Sequence, residues 1–482
     1  MAAGGGLGAT KAQTLRYTGP VVLHTGSVLS AETPADRQIA AVTFRLDGRA
    51  VVTDAVAPYA ASLLASDITA GHHVLRVELV YRSGNRRVSA RVDVTATLKA
   101  DPGRHVVSTT AGLRALIPRL ARGRVAVHLK PGRYDVNELQ LGSNVVLTGS
   151  GPATVLTTPT GAYGSGLVVN GTNVTVADLA IDGAGPGEGT GNSILVGPGA
   201  GHVVLRHLDL RRVRKTGVYG WGRIADVTLQ DSTISGLTSA EAGVVFRMPD
   251  ESDVSVVRTT ITGMRGWGIN FFQVPHDNLT TGLRALALDN LISDVDEAEY
   301  TNGTSKGGIW SGGAQATIVG NRIRRIGWDG IETVGSSDGV WISGNDISGT
   351  KTGIYLEHKT THSVIRNNKI ENVDTGVIVE WLYDGIGSTD NRFIDNRIAH
   401  ADTGIFADYG ADRNVLQGNT FLYGSRPAIV LQGSSNNVIL DNQACGAAGA
   451  FVREQLANPG TGAVMSQGNV IARNRSLADC AG

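Results

Sequence analysis

Gly353-Ile354-Tyr355-Leu356-Glu357, Gly376-Val377-Ile378-Val379-Glu380 and Gly404-Ile405-Phe406-Ala407-Asp408 carry one pattern. Each opens on Gly, has apolar or small residues first and third after it, and has more varied residues second and fourth. A period of two over a short segment predicts a half-buried strand. The same opening recurs upstream at Gly217-Val218, Gly243-Val244, Gly268-Ile269, Gly308-Ile309 and Gly330-Ile331, and downstream at Ala428-Ile429. Successive starts are 26, 25, 40, 22, 23, 23, 28 and 24 residues apart. A short base period with occasional insertions predicts stacked β-coils, a parallel solenoid. A leucine-rich repeat has a similar period but needs a fixed Leu and Asn pattern that is missing here.

A second register agrees. Asn290-Leu291-Ile292, Asn321-Arg322-Ile323, Asn345-Asp346-Ile347, Asn368-Lys369-Ile370, Asn396-Arg397-Ile398 and Asn419-Thr420-Phe421 recur once per coil. Coils stack ~4.8 Å apart, so an Asn at one corner of each can form a ladder of side-chain amides. These asparagines are expected to hold the corner rather than to bind substrate.

The first hundred residues read differently. Val21 to His24, Ala41 to Leu46, His73 to Leu79 and Val88 to Val94 alternate, with turns at Leu46-Asp47-Gly48-Arg49, Thr69-Ala70-Gly71-His72 and Arg82-Ser83-Gly84-Asn85. About seven short strands at this spacing predict a small antiparallel β-sandwich over residues 16–100. Met1 to Ala12 is Gly/Ala-rich and reads as a disordered linker, so 1–15 are set apart. Lys99 to Gly103 reads as the next boundary. Leu113, Leu116, Ile117 and Leu120 make one apolar stripe on a helix over Thr109 to Arg122, placed to cap the open end of a coil array. The array then fills 101–482.

Composition excludes some partners. Lys plus Arg and Asp plus Glu are 43 each, so no net charge draws the chain to nucleic acid or anionic lipid. No apolar run reaches the ~18 residues of a membrane helix. Gly is abundant, at 64, and aromatics are scarce, which suits short strands and tight turns. The two cysteines, Cys445 and Cys480, are expected to pair in an oxidising, secreted setting.

The coil pattern resembles the right-handed parallel β-helix of pectate lyases, polygalacturonases and related carbohydrate enzymes, over about residues 102–482. The strict polygalacturonase motifs do not occur in order. The segment from Phe44-Arg45-Leu46-Asp47-Gly48 through Ala57-Pro58-Tyr59 to His73-Val74-Leu75 resembles bacterial Ig-like modules of extracellular enzymes. The resemblance implies a secreted enzyme with a polysaccharide or oligosaccharide as its partner.

Alternation says which residues leave the coil. The second positions are Tyr219, Val245, Asn270, Trp310, Glu332, Tyr355, Ile378 and Phe406. The fourth positions are Trp221, Arg247, Phe272, Gly312, Val334, Glu357, Glu380, Asp408 and Gln432. Three carboxylates thus fall in one column on consecutive coils, with Glu332 one coil earlier. Stacked like charges raise one another's pKa, a cost that a purely structural sheet avoids. Acid/base chemistry or a metal site accounts for them better than a solvated stripe. Aromatic faces beside carboxylates suit sugars, whose C–H faces stack on rings while hydroxyls seek polar partners.

The expected catalytic residues are therefore Glu357 and Glu380, with Glu332, Asp408 and Asp384 as partners. The expected substrate-binding residues are Trp310, Tyr355, His358, Trp381, Tyr409, Arg247, Asn270, Trp221 and Gln432. A glycoside hydrolase needs one carboxylic acid and one carboxylate. Adjacent-coil pairs suit the ~5 Å of a retaining pair, and Glu332–Glu357 or Glu357–Asp408 lie nearer the ~6.5–9.5 Å of an inverting pair. Known β-helix hydrolases mostly invert, so the resemblance favours inversion. No cofactor is required for hydrolysis. The alternative is a lyase or epimerase on a uronic-acid polymer, in which the carboxylates hold Ca²⁺ and Arg247, Lys351, His358 or Lys359 is the base. A non-catalytic glycan binder is the third reading. Long insertions at 277–306, 382–388 and 182–188 are expected to wall the site.

Overall fold

The computed structural model describes residues 15–97, 104–136, 138–157, 164–183, 191–236, 241–248, 252–273, 283–295, 307–380, 387–424, 427–446, 451–457 and 464–477. The chain divides into two compact units, Met1–Pro102 and Gly103–Gly482.

The described residues of the first unit are built of β-strands, with one short 3-10 turn at Ala65–Asp67. Arg16–Tyr17, Val28–Glu32 and Ala60–Ser62 form one antiparallel sheet. Val22–Leu23, Val92–Ala96, Gly71–Tyr81, Ile39–Leu46 and Arg49–Asp54 form the other in that order, with Arg86–Val88 beside Gly71–Tyr81. Phe44, Leu75, Val77 and Leu79 are fully buried between the layers. The expected strand Val88 to Val94 is two strands, Arg86–Val88 and Val92–Ala96. Ser89 breaks it, its hydroxyl accepting the Val77 amide at 2.9 Å.

The second unit is a solenoid. Every strand from His105–Val107 to Arg475–Leu477 lies in one continuous parallel system, most pairing in register with a strand one coil away. Each coil contributes to three faces: for example Gly307–Gly312, Gln315–Val319 and Arg322–Ile326 pair onto Asp329–Val334, Trp341–Ser343 and Asp346–Leu356. One long helix, Thr110–Arg122, stands at the first coils; the Thr109 hydroxyl caps it by accepting the Gly112 amide at 3.1 Å. Its buried residues Leu113 and Leu120 join the solenoid core.

Inside, side chains stack by type. Ile309, Ile331, Ile354, Val377, Ile405 and Ile429 pair coil to coil and are fully buried. The glycine before each has a steric cause. A Cβ on Gly353 would sit 2.5 Å from the Gly376 carbonyl oxygen and 2.5 Å from Ile370 Cγ2. The corner leaves no room for a side chain.

The asparagine ladder forms as expected. Side-chain Nδ2 donates to the next Oδ1 through Asn290, Asn321, Asn345, Asn368, Asn396, Asn419, Asn442 and Asn474, at 2.9–3.0 Å. A second corner, not read from the sequence, carries Asn391, Asn414, Asn437 and Asn469, each later Oδ1 accepting the amide of the Asn before it. Cys445 is buried at a strand end, and Cys480 lies outside the described residues.

Candidate active site

The site grows from the register of one face. Backbone pairing aligns Asn270, Trp310, Glu332, Tyr355, Ile378 and Phe406 across six coils. The ladder continues one residue past the strands: Glu357 donates its amide to the Thr333 carbonyl, Glu380 to Leu356 and Asp408 to Val379, at 2.9, 3.0 and 2.9 Å. Each carboxylate residue is therefore anchored to the coil before it, and the three stand in one row. Gln432 follows on the next coil, with the Gln455 side-chain amide donating to its Oε1 at 2.5 Å. Their outward direction follows from the buried Leu356, Val379 and Ala407 that precede them.

Burial sorts these acids. Glu357, Glu380 and Asp408 are partly buried. Glu332 is only 1% exposed, flanked in its column by Trp310 and Tyr355 on the neighbouring coils. It leaves the barrel as alternation requires, but a substrate cannot reach it directly. A fifth acid, Asp329, was missed by the sequence reading and is fully buried. It occupies the position before the corner Gly, where the next coils have Thr352, Thr375 and Thr403. A charge in a column of threonines was the available signal.

Crowding sets the protonation. Burial, then the charge of Glu380, pushes the Glu357 carboxyl up to about 7. Asp329 also rises to about 7, chiefly through burial, with Glu357 and Glu380 adding to it and the Thr352 hydroxyl and Lys351 opposing. Glu380 is raised by burial and Asp408, against a lowering hydrogen bond from Tyr355. Asp408 is raised by burial, against hydrogen bonds from the Tyr409 amide and Gln432. The Tyr355 hydroxyl donates to Glu380 Oε2 at 2.7 Å. Burial and the charges of Glu380, Glu357 and Glu332 hold the phenol well above its ordinary range, so it stays protonated.

Toward the N-terminal coils the face turns aromatic. Trp310 stacks on Phe272 with centroids 5.2 Å apart and lies 6.5 Å from Trp267. The Arg247 guanidinium sits 5.4 Å from the Phe272 centroid. A Cβ on Gly312 would meet the Trp310 ring at 2.7 Å, so that glycine makes room for the indole. Trp221 is 48% exposed at the end of this row, whereas Asn270 is buried. His358, Lys359 and Tyr409 are partly buried beside the acids. Lys351, a lyase-base candidate, lies with Nζ 3.6 Å from the Trp328 centroid. Trp381 and Asp384 lie outside the described residues, as do parts of the three long insertions. Among the described residues, no group of three or more His, Cys, Asp or Glu side chains is arranged to hold a metal ion. Among them, too, no helix is long and apolar enough to cross a membrane.

No curated protein sequence matches the chain. A family model described as the right handed beta helix region matches residues 276–380 and 374–479. Among solved structures, the chain is similar to the Azotobacter vinelandii mannuronan C-5 epimerase AlgE6 A-module, at 14% identity over 78% of this chain and 97% of that one, with a TM-score of 0.48. It is similar also to the Yersinia enterocolitica family 28 exopolygalacturonase, at 11% identity over 95% and 98%, TM-score 0.40. A third is the DFA-IIIase from Arthrobacter chlorophenolicus A6, at 12% identity over 79% and 99%, TM-score 0.39. From His105 to Leu477 the strands form one right-handed parallel β-helix, and the family model matches its C-terminal part, residues 276–479.

Proposed function

We propose that this protein is a polysaccharide-degrading glycoside hydrolase working in a groove on the outer face of the β-helix, with Glu357 as the acid. One observation carries the reading: Glu357, Glu380 and Asp408 stand in a row on consecutive coils, partly buried, over the enclosed carboxyls of Asp329 and Glu332. A group near 7 is protonated often enough at neutral pH to deliver a proton to a glycosidic oxygen. Its ionised partner, Glu380 or Asp408, either attacks the anomeric carbon or activates water. The pair Glu357–Glu380 lies one coil apart and suits retention; Glu357–Asp408 lies two coils apart and suits inversion.

The electrostatics support a neutral sugar at the point of cleavage. Glu357 is raised by burial and by another anion. A uronate entering beside it would add one more negative charge to a crowded site. The aromatic ladder at Trp310 and Phe272, with Trp221 and Arg247 beyond it, supports binding of further sugar rings along the axis. A polymeric substrate is in keeping with a secreted enzyme, which is part of this proposal.

A panel of neutral glucans, mannans and arabinans together with polygalacturonate and alginate tests this. Reducing ends released by the wild type, and lost by at least about 100-fold in Glu357→Gln, are expected. Wild-type turnover in Glu357→Gln sinks the reading. Product absorbing in the ultraviolet, lost with chelator, identifies a lyase instead.

A further inference from the structure

Glu380 has a partner that Glu357 and Asp408 lack. The Tyr355 hydroxyl, reaching from the preceding coil, donates to its Oε2 at 2.7 Å. Tyr355 is two residues before Glu357, so one coil supplies both the acid and the group that grips its neighbour. Building on the glycosidase reading, we infer that Tyr355 is a positioning residue that holds the Glu380 carboxylate in place as the nucleophile of a retaining, double-displacement hydrolysis.

The geometry selects Glu380 over Asp408. A phenol fixed as a donor favours the ionised form of the carboxylate that accepts from it. Asp408 also has donors, the Tyr409 amide at 2.7 Å and Gln432, but these come from its own turn and the coil after, and it lies two coils from Glu357 rather than one. Glu357 and Glu380 succeed one another at the spacing of one coil, ~4.8 Å, close to the ~5–5.5 Å of retaining pairs. Among the described residues, the charged and titratable groups that interact with Glu380 are Tyr355 and Glu357 from the coil before, Asp408 from the coil after, and Asp329 from the coil beyond Tyr355. Within this group Tyr355 is the one that favours the anion at Glu380.

The step balances. Glu380 bonds the anomeric carbon as the glycosidic C–O bond breaks, and Glu357 gives its proton to the leaving oxygen. Water then attacks the glycosyl ester; its proton returns to Glu357, the sugar leaves as a hemiacetal, and Glu380 is again a carboxylate.

The test uses the full chain on whichever panel glycan it hydrolyses. Proton NMR of the first-formed product should show the retained anomer; the inverted anomer overturns the inference while leaving the hydrolase intact. Tyr355→Phe should lower kcat about 100-fold with KM nearly unchanged. It should also move the acid limb of the pH profile up by about one unit, a tenfold change in proton affinity. A superimposable profile overturns the role of Tyr355. Glu380→Ala, if folded by circular dichroism, should regain activity with azide and yield a glycosyl azide; no rescue counts against Glu380 as nucleophile. No reducing-end release by the wild type on any glycan removes the hydrolase reading itself, and this inference with it.

Discussion

The side-chain amide of Asn345 donates to Oδ1 of Asn368 at 3.0 Å, and the same oxygen accepts the Asn345 backbone amide at 3.0 Å. One buried atom thus satisfies two donors from the coil before, while Asn368 Nδ2 reaches both the Ile342 carbonyl and Asn396 Oδ1. Replacing Asn368 by Ala strands several of these groups away from water, at roughly 1–3 kcal/mol each. Asn368→Ala is expected to destabilise the solenoid by about 3 kcal/mol, read as a lower midpoint in urea. A change below about 1 kcal/mol would mean that the ladder is decorative.

The glycine column makes a matched pair of predictions. Gly353→Ala forces a Cβ against both a backbone oxygen and Ile370, and backbone cannot retreat as a side-chain tip can. Overpacking of this kind costs about 1–3 kcal/mol. Ala428 already holds the equivalent corner beyond Gly404, so Ala428→Gly is expected to cost no more than about 1 kcal/mol. Thermal melts of both variants, side by side, check the contrast.

Stability should fall as pH rises through neutrality. Asp329 and Glu357 have folded pKa values near 7, above their ordinary carboxylate values of 3.8 and 4.5. The folded state therefore holds protons that the unfolded chain releases. Their stabilising contribution is complete below about pH 4 and is lost as pH rises through 7. Tm is expected to decline between pH 5 and 8, and Asp329→Asn should flatten that decline. An Asp329→Asn profile as steep as the wild type would remove Asp329 from the coupled group.

Trp310 connects the aromatic and acidic stretches of the face. Its removal should weaken glycan binding about tenfold, the worth of roughly one aromatic contact. Calorimetry on Trp310→Ala in a Glu357→Gln background isolates binding from turnover. Unchanged affinity, with folding intact, would make the Trp310–Phe272 stack purely structural.

Much of this protein was legible along the chain. The Gly-Ile openings, the Asn triplets and the alternation after each Gly followed from a repeating unit, because each coil meets only its neighbours and must present the same corner each time. That same regularity places Glu357, Glu380 and Asp408 in one row. The second Asn corner, five residues before the first on each coil, was obscured because it carries Asn only from Asn391 onward, with Ser363 and Val340 in the same place on earlier coils. Asp329 was passed over because alternation is counted after the Gly, and it stands before it.

What the sequence could not decide was depth and partnership. Glu332 and Glu357 both leave the barrel, yet one is enclosed between two aromatic residues of its own column and the other stays partly exposed. Tyr355 read as a sugar platform, and only side-chain packing joined its hydroxyl to Glu380. Periodicity fixes direction, since each residue's face follows from its place in a strand. Burial and hydrogen bonding depend on what the neighbouring coils bring over the top, and through them on the charge that each carboxyl carries.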